Sequence, residues 1–206
     1  MVIETEVKFI VPNRDTFNLL KRSKQFGDFQ LQFIGTKVHI DRYLDTVDQR
    51  LLQAGYACRI RSVKSQQIFT VKSLTPPQGN LYRRQEFEVE VNSDQPQSWP
   101  KSAATALVLD IIGDGALQTL FTLYQTRHKY EVVAQGDALI EFSLDEVLFN
   151  NRDEVDYFEL EAELLPPGTE EDLTHFINAL QSSWQLTPQH QSKFERAIDY
   201  FEIGAK

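Results

Sequence analysis

Glu4, Glu6 and Lys8 stand at strict two-residue spacing in the segment Val2–Val11. A β-strand there would carry two carboxylates and an ammonium on one face, with Ile3, Thr5, Val7 and Phe9 on the other. One such strand needs no function, because an antiparallel sheet commonly gives its polar side to water. Here the pattern recurs, with the signs sorted by segment. Arg59 and Arg61 share a parity, Lys72 follows in the next segment, and Arg84, Glu86, Glu88 and Glu90 alternate with Phe87 and Val89. Further on, Gln125, Arg127 and Lys129 share a face, then Glu141, Ser143 and Asp145, then Glu159, Glu161 and Glu163. Guanidinium and ammonium groups hold phosphate oxygens, arginine as a two-pronged fork. Carboxylates offer hard oxygens to Mg2+ or Mn2+, and such cations bridge phosphates. Both sets on neighbouring strands predict chemistry on a polyphosphate with a divalent metal.

Positioning these groups requires a framework of strands and helices. Asn13 or Asp15 can cap a helix in which Phe17, Leu20 and Lys24 share a face, with Gly27 where a C-terminal glycine would end it. Residues 29–46 alternate across a break at Gly35, predicting two strand pieces or one bent strand. A short helix over 47–54 stops at Gly55; strands follow over 56–63, over 66–73 after a brief turn, and over 81–91 beyond a loop marked by Pro76, Pro77 and Gly79. Residues 102–112 have a helical period ended by Gly113 and Gly115. Strands are predicted within 117–133, after the Gly136-Asp137 turn over 138–148, and over 157–165. Thr169 with Asp172 resembles a capping box for a helix striped by Leu173, Phe176, Ile177, Leu180 and Trp184. Thr187-Pro188 is expected to open a last helix, with Lys193 near its beginning and Phe194, Ile198 and Phe201 inward.

About eight strands in hairpin-like succession, with helices between groups, predict an α+β architecture: an eight-stranded antiparallel β-barrel with helices packed outside. The helices carry apolar stripes that need the apolar faces of the sheet, which turns the charged faces into the lumen. A small barrel normally does the reverse. A charged lumen must be wet and occupied, since unpaired buried ions cost several kcal/mol each. The 206 residues are expected to form one domain, 1–206, with its own core. A net charge of −9 argues against a general nucleic-acid surface, so an anionic ligand must meet a local basic cluster. The single cysteine, Cys58, reads as a buried spectator in a reducing cytoplasm, and no apolar run suggests a signal peptide or membrane span. His39, His128, His175 and His190 share no zinc-ligand spacing and read as surface or structural. Trp184 and Tyr200 read as core, whereas Trp99 and Tyr43 are placed near the tunnel mouth, where they could stack a base.

Glu4-x-Glu6-x-Lys8 resembles the ExExK signature of the CYTH domain, the triphosphate tunnel metalloenzymes. Further segments resemble later motifs of that family in the family's order: Tyr43–Thr46, Ala57–Arg61, Thr70–Lys72, Arg84–Glu88, Arg127–Lys129, Ser143–Asp145, Phe158–Glu161 and Ser192-Lys193. The resemblance spans roughly residues 2 to 201 and implies an eight-stranded tunnel that binds triphosphates with Mg2+ or Mn2+. It implies Glu4, Glu6, Glu159 and Glu161 as metal carboxylates, with Asp145 helping to hold metal or water. It implies Lys8, Arg59, Arg61, Lys72, Arg84, Arg127, Lys129 and Lys193 as the triphosphate cradle, and Glu86 and Glu88 as an acidic strand that orients bases or a second metal. Lys8, Glu88 and Asp145 are the residues expected to act in catalysis. The expected reaction is metal-dependent hydrolysis of inorganic tripolyphosphate to pyrophosphate and phosphate. Thiamine triphosphatase, a class IV-type adenylyl cyclase and a non-catalytic polyphosphate-binding module are the alternatives; the His-Phe element that precedes the signature in those cyclases is absent. The expected partner is a triphosphate-containing small molecule, with neither a nucleic-acid duplex nor a membrane, acting on a cytoplasmic monomer or homodimer.

Overall fold

The computed structural model describes residues 2–63, 66–149 and 154–204, so the turn expected at 64–65 lies outside the described residues. In chain order the elements are β1 (Val2–Val11), α1 (Arg14–Arg22), β2 (Gln25–Phe26), β3 (Phe29–Asp45), α2 (Arg50–Gln53), β4 (Tyr56–Val63), β5 (Gln66–Ser73) and β6 (Leu81–Val91). They continue with α3 (Ala103–Ile112), β7 (Gln118–Ala134), β8 (Asp137–Leu148), β9 (Tyr157–Leu164), α4 (Glu170–Trp184), β10 (Thr187–Pro188) and α5 (Lys193–Tyr200).

Eight antiparallel strands close on themselves in the order β1-β6-β5-β4-β3-β7-β8-β9, and β9 returns to β1 with Glu161 opposite Lys8. The two-residue strands β2 and β10 extend the edges of β3 and β1. β3 is one bent strand: its register against β7 shifts between Phe33 and Gly35, where the sequence breaks.

Period-two alternation sends the charged parity inward and the apolar parity outward. Outside, α1 and α4 cover β1, β7, β8 and β9 through Phe17, Leu20, Phe176 and Leu180 packed on Phe9, Phe142 and Leu160, all fully buried. α3 covers β4 and β5, with Val108 and Ile112 against Ile60, Phe69 and Val71. Each such side chain contributes about 1.5–3 kcal/mol of burial, so the helices are what hold this barrel inside out. Trp99 belongs to that outer layer, its ring 4.1 Å from Phe69 and its Nε1 donating to Ser93 O at 2.7 Å, so it is not at the tunnel mouth. Cys58 is buried in the same cluster, as a spectator should be.

One end of the bore is apolar. Tyr43, Phe121, Leu123, Val147 and Tyr157 have the same parity as the charged residues, but they pack on Phe194 and Ala197 of α5. Ring centroids lie 5.3 Å apart for Tyr43–Phe194 and 5.7 Å for Phe121–Phe194. The lumen is therefore a blind tunnel rather than a charged channel along its whole length, and Tyr43 sits at its closed end.

Three boundaries differ from expectation. α1 stops at Arg22, which leaves Lys24 off the helix. Gly27, at φ +54°, instead makes the tight β2–β3 turn, where an added Cβ would also come within 3.0 Å of Ala179 Cβ. Thr187-Pro188 does not open a helix; it pairs with β1, Pro188 opposite Phe9. α5 begins five residues later because Ser192 and Glu195 form a reciprocal capping box. Tyr200 is 45% exposed and stacks on Phe149, while Trp184 is half-buried against the outer core.

Candidate active site

β1 supplies Glu4, Glu6 and Lys8 to the lumen, as its parity requires, and its neighbours β6 and β9, with β5 one strand beyond β6, supply their counter-ions. Glu6 accepts from Lys8 Nζ at 2.7 Å and from Arg84, and Glu4 pairs with Lys72. Lys72 lies 3.5 Å from Glu86 and 3.9 Å from Glu6, while Lys8 also pairs with Glu161. Glu6, Lys8 and Arg84 are almost wholly buried. Burial alone would raise the Glu6 carboxyl, but Lys8, Lys72 and Arg84 outweigh it and hold it well below the usual carboxylate range. Glu4 goes the other way, raised first by burial and then by Glu6. On β9, burial together with Glu4 and Glu6 pushes the Glu163 carboxyl up to about 8.

A second group forms where β7, β8 and β9 meet the start of α5. Arg127 grips Asp145 with two hydrogen bonds, Nε at 2.9 Å and Nη2 at 2.6 Å, and also reaches Glu161. Lys193 Nζ lies 3.0 Å from Asp145, 2.5 Å from Glu159 and 2.6 Å from Glu161. The Ser192 capping box aims it there by fixing the first turn of α5. Asp145 and Glu161 stay low because Arg127 and Lys193 outweigh the burial that would raise them, whereas Glu159 is raised because burial outweighs Lys193.

β3 and β4 supply a third group whose key member the alternation pattern alone did not single out. Asp41, fully buried, accepts from Arg61 Nε and Nη2 at 2.7 Å each and lies 3.7 Å from Arg59. Its signal was parity with Tyr43 on β3. His39 has the same parity and is buried, not on the surface; burial and then Arg61 lower its pKa to about 3, so the ring is neutral. His128 is buried too, on the outer side of β7, bonded to Thr36 Oγ1 at 2.8 Å through Nδ1.

Lys8, Arg59, Arg61, Lys72, Arg84, Arg127 and Lys193 line one cavity with Glu4, Glu6 and Glu161; it measures about 620 Å³ including the part open to solvent. Glu86 and Glu88 lie toward the open mouth with Arg59, Arg61 and Glu163, and Glu88 accepts from Thr70 Oγ1 at 3.0 Å. Lys129 pairs with Glu141 and does not line this cavity.

One carboxylate oxygen from each of Asp145, Glu159 and Glu161 lies within 4.8 Å of the others. Glu159 Oε2 is buried without a hydrogen-bond partner, and the Lys193 ammonium already sits among the three carboxylates as a built-in cation. Three hard oxygen donors this close together around the position of a cation fit a divalent ion of the Mg2+ or Mn2+ kind, taken in place of the ammonium.

A family model described as the CYTH domain matches residues 2–198. No curated protein matches the chain by sequence. Among solved structures, a candidate adenylyl cyclase from Hippeastrum, described as having a dominant triphosphatase activity, is 20% identical over 97% of this chain and 96% of its own, with a TM-score of 0.73. A candidate adenylate cyclase from Bacillus halodurans is 21% identical over 94% and 96%, with a TM-score of 0.65. A protein from Pyrococcus horikoshii is 19% identical over 96% and 99%, with a TM-score of 0.62. At these identities the likeness is one of fold. Among the described residues no helix is long and apolar enough to cross a membrane.

Proposed function

Because the chain belongs to the CYTH domain family, we propose that it hydrolyses a triphosphate with the help of a divalent cation, inorganic tripolyphosphate being the substrate. The observation that carries this reading is the blind, two-signed cavity, in which seven cations from five strands and α5 face carboxylates across the same bore. Phosphoryl transfer asks a protein mainly for placement and charge neutralisation, and this wall offers both.

In this reading Arg59, Arg61, Lys72, Arg84 and Arg127 take the non-bridging oxygens of the chain. Lys8 and Lys193 leave their carboxylates to do the same. Asp145, kept ionised by Arg127 and Lys193, accepts a hydrogen bond from the attacking water and so orients it. Water adds to a terminal phosphorus, the anhydride P–O bond breaks, pyrophosphate departs, and the proton of the water passes to a product oxygen or to solvent. Glu4, Glu6, Glu159 and Glu161, with Asp145, would hold Mg2+ or Mn2+. When bound, such an ion supplies charge neutralisation on the phosphate oxygens.

A triphosphate with an organic group must place that group at the mouth. Among the described residues lining the mouth, Phe87 is the single aromatic ring, and Trp99 is committed to the outer core. That favours the inorganic chain over a base or a thiamine group. The test is a panel of tripolyphosphate, thiamine triphosphate, ATP and long-chain polyphosphate with Mg2+ or Mn2+, following phosphate, pyrophosphate and cyclic AMP. Preference for tripolyphosphate is expected. Cyclic AMP from ATP, thiamine diphosphate from its triphosphate at the higher rate, or binding without turnover would each replace this reading with the corresponding alternative.

A further inference from the structure

Gln125 is 2% exposed, lines the cavity, and holds its Nε2 buried without a hydrogen-bond partner. Its place along β7 gives that orphan donor meaning. Phe121 and Leu123, at the same parity, belong to the apolar plug, while Arg127, two residues the other way, belongs to the charged wall. Across the sheet Gln125 faces Val147, another plug residue, on β8. Gln125 is thus the last polar position of β7 before the tunnel closes. On its other side stands His39, also buried, whose Nδ1 likewise has no partner.

Buried amide donors are rarely left unpaired, because an unmade hydrogen bond costs about 1–3 kcal/mol. The charged groups around this floor each keep at least one bond to a neighbour, Glu159 through Oε1 to Lys193 and Arg84 through Nη2 to Glu6, whereas the Gln125 amide nitrogen donates to nothing. We infer that Gln125 is the floor contact of the tunnel: its Nε2 donates to a terminal phosphoryl oxygen of the phosphate chain. The inference rests on the triphosphate reading and deepens it, by naming the group that receives the inner end of the chain. A structural glutamine would gain its keep in the free protein; this one does so with ligand bound.

Stability and affinity must therefore move in different directions. In Gln125→Met, of similar length but apolar, the thermal midpoint of the free protein is expected to be unchanged or higher. The dissociation constant for Mg2+-tripolyphosphate, read by isothermal titration calorimetry, should rise about tenfold, the loss of one hydrogen bond to a charged acceptor. Gln125→Glu, which keeps the shape but replaces the donor with a carboxylate, should weaken binding further. A free Gln125→Met protein that is less stable or unfolded would mean the amide serves the fold and overturns the inference, as would wild-type affinity in Gln125→Glu. Unchanged affinity in Gln125→Met overturns it while leaving the triphosphate reading intact. Binding that depends on Gln125 without any hydrolysis would support the contact and remove the triphosphatase assignment. A wild-type protein that does not bind tripolyphosphate would sink both.

Discussion

Lys193 occupies the point among Asp145, Glu159 and Glu161 where a cation belongs, within 3.0 Å of all three. Removing one partner of a buried ion cluster strands the others, at about 3–5 kcal/mol. Lys193→Ala should accordingly lose about 3 kcal/mol in urea denaturation without added metal, and Mg2+ or Mn2+ should restore more stability to it than to the wild type; equal metal effects on the two would show that the carboxylates do not take a cation. His39 offers a pH-dependent counterpart. Its ring is neutral in the fold down to about pH 3, whereas an ordinary histidine gains a proton near 6.5. Its contribution is thus complete above pH 6.5 and is lost as pH falls toward 3, because only the unfolded chain binds the proton there. Between pH 7.5 and 5.5 the wild type should lose about 1 kcal/mol more than His39→Gln in urea titrations; identical losses would contradict the buried, neutral ring. The charged members of this site were legible because two-residue spacing repeats along strands. Asp41, His39 and Gln125 were harder to see, since their meaning depends on what other strands bring to them: Arg59 and Arg61 for Asp41, and a buried nitrogen left without a hydrogen bond, Nδ1 of His39 and Nε2 of Gln125, for the other two.

At the scale of elements, two helix starts that look alike in sequence have different consequences. Thr169 with Asp172 and Ser192 with Glu195 both form complete capping boxes, each worth about 1 kcal/mol. Behind Thr169 lies α4, which packs on the outer face. Behind Ser192 lies Lys193, the first residue of α5. Thr169→Ala is expected to lower stability by about 1 kcal/mol and leave the KM for tripolyphosphate unchanged, while Ser192→Ala should lower stability by the same amount and raise KM several-fold. A KM that moves equally in both would make the effect one of global stability. The Thr169 box was readable because an apolar stripe follows it at once. The Ser192 box was obscured by Thr187-Pro188, a pair that resembles a helix start but serves instead to extend the edge of β1. Gly27 misled in the same way: a left-handed glycine ends helices and makes tight turns alike, and the Phe26–Phe29 pairing decides between them.

For the whole molecule, the inward turn of the charged faces could be deduced because the apolar stripes of α1, α3 and α4 had to be covered by something, and only the opposite faces of the strands were available. The plug could not be deduced that way. Phe121, Leu123, Val147 and Tyr157 continue the lumen parity with apolar side chains, and their closure depends on where α5 returns. The outcome is a tunnel in which acids and bases of the free protein neutralise one another across β1, β6, β7, β8 and β9. Such a lumen resists either ligand taken singly. A divalent cation alone must displace Lys193 or Lys8 from carboxylates and leave an ammonium stranded; a triphosphate alone must pull arginines and lysines away from acids that then face one another. Supplied together, the anion takes up cations that the metal displaces and the metal takes up carboxylates that the anion uncovers, so fewer charges are stranded than with either ligand alone. Ligand at about a hundredfold its dissociation constant contributes about 2.7 kcal/mol, which in a chain of this size raises the thermal midpoint by roughly 5 to 10 °C. That shift is expected with Mg2+ and tripolyphosphate in combination, and less than a third of it with Mg2+ or with tripolyphosphate in EDTA. Shifts that simply add would mean that anion and cation occupy separate places, and that the mixed charge of the tunnel wall serves the free fold rather than its ligand.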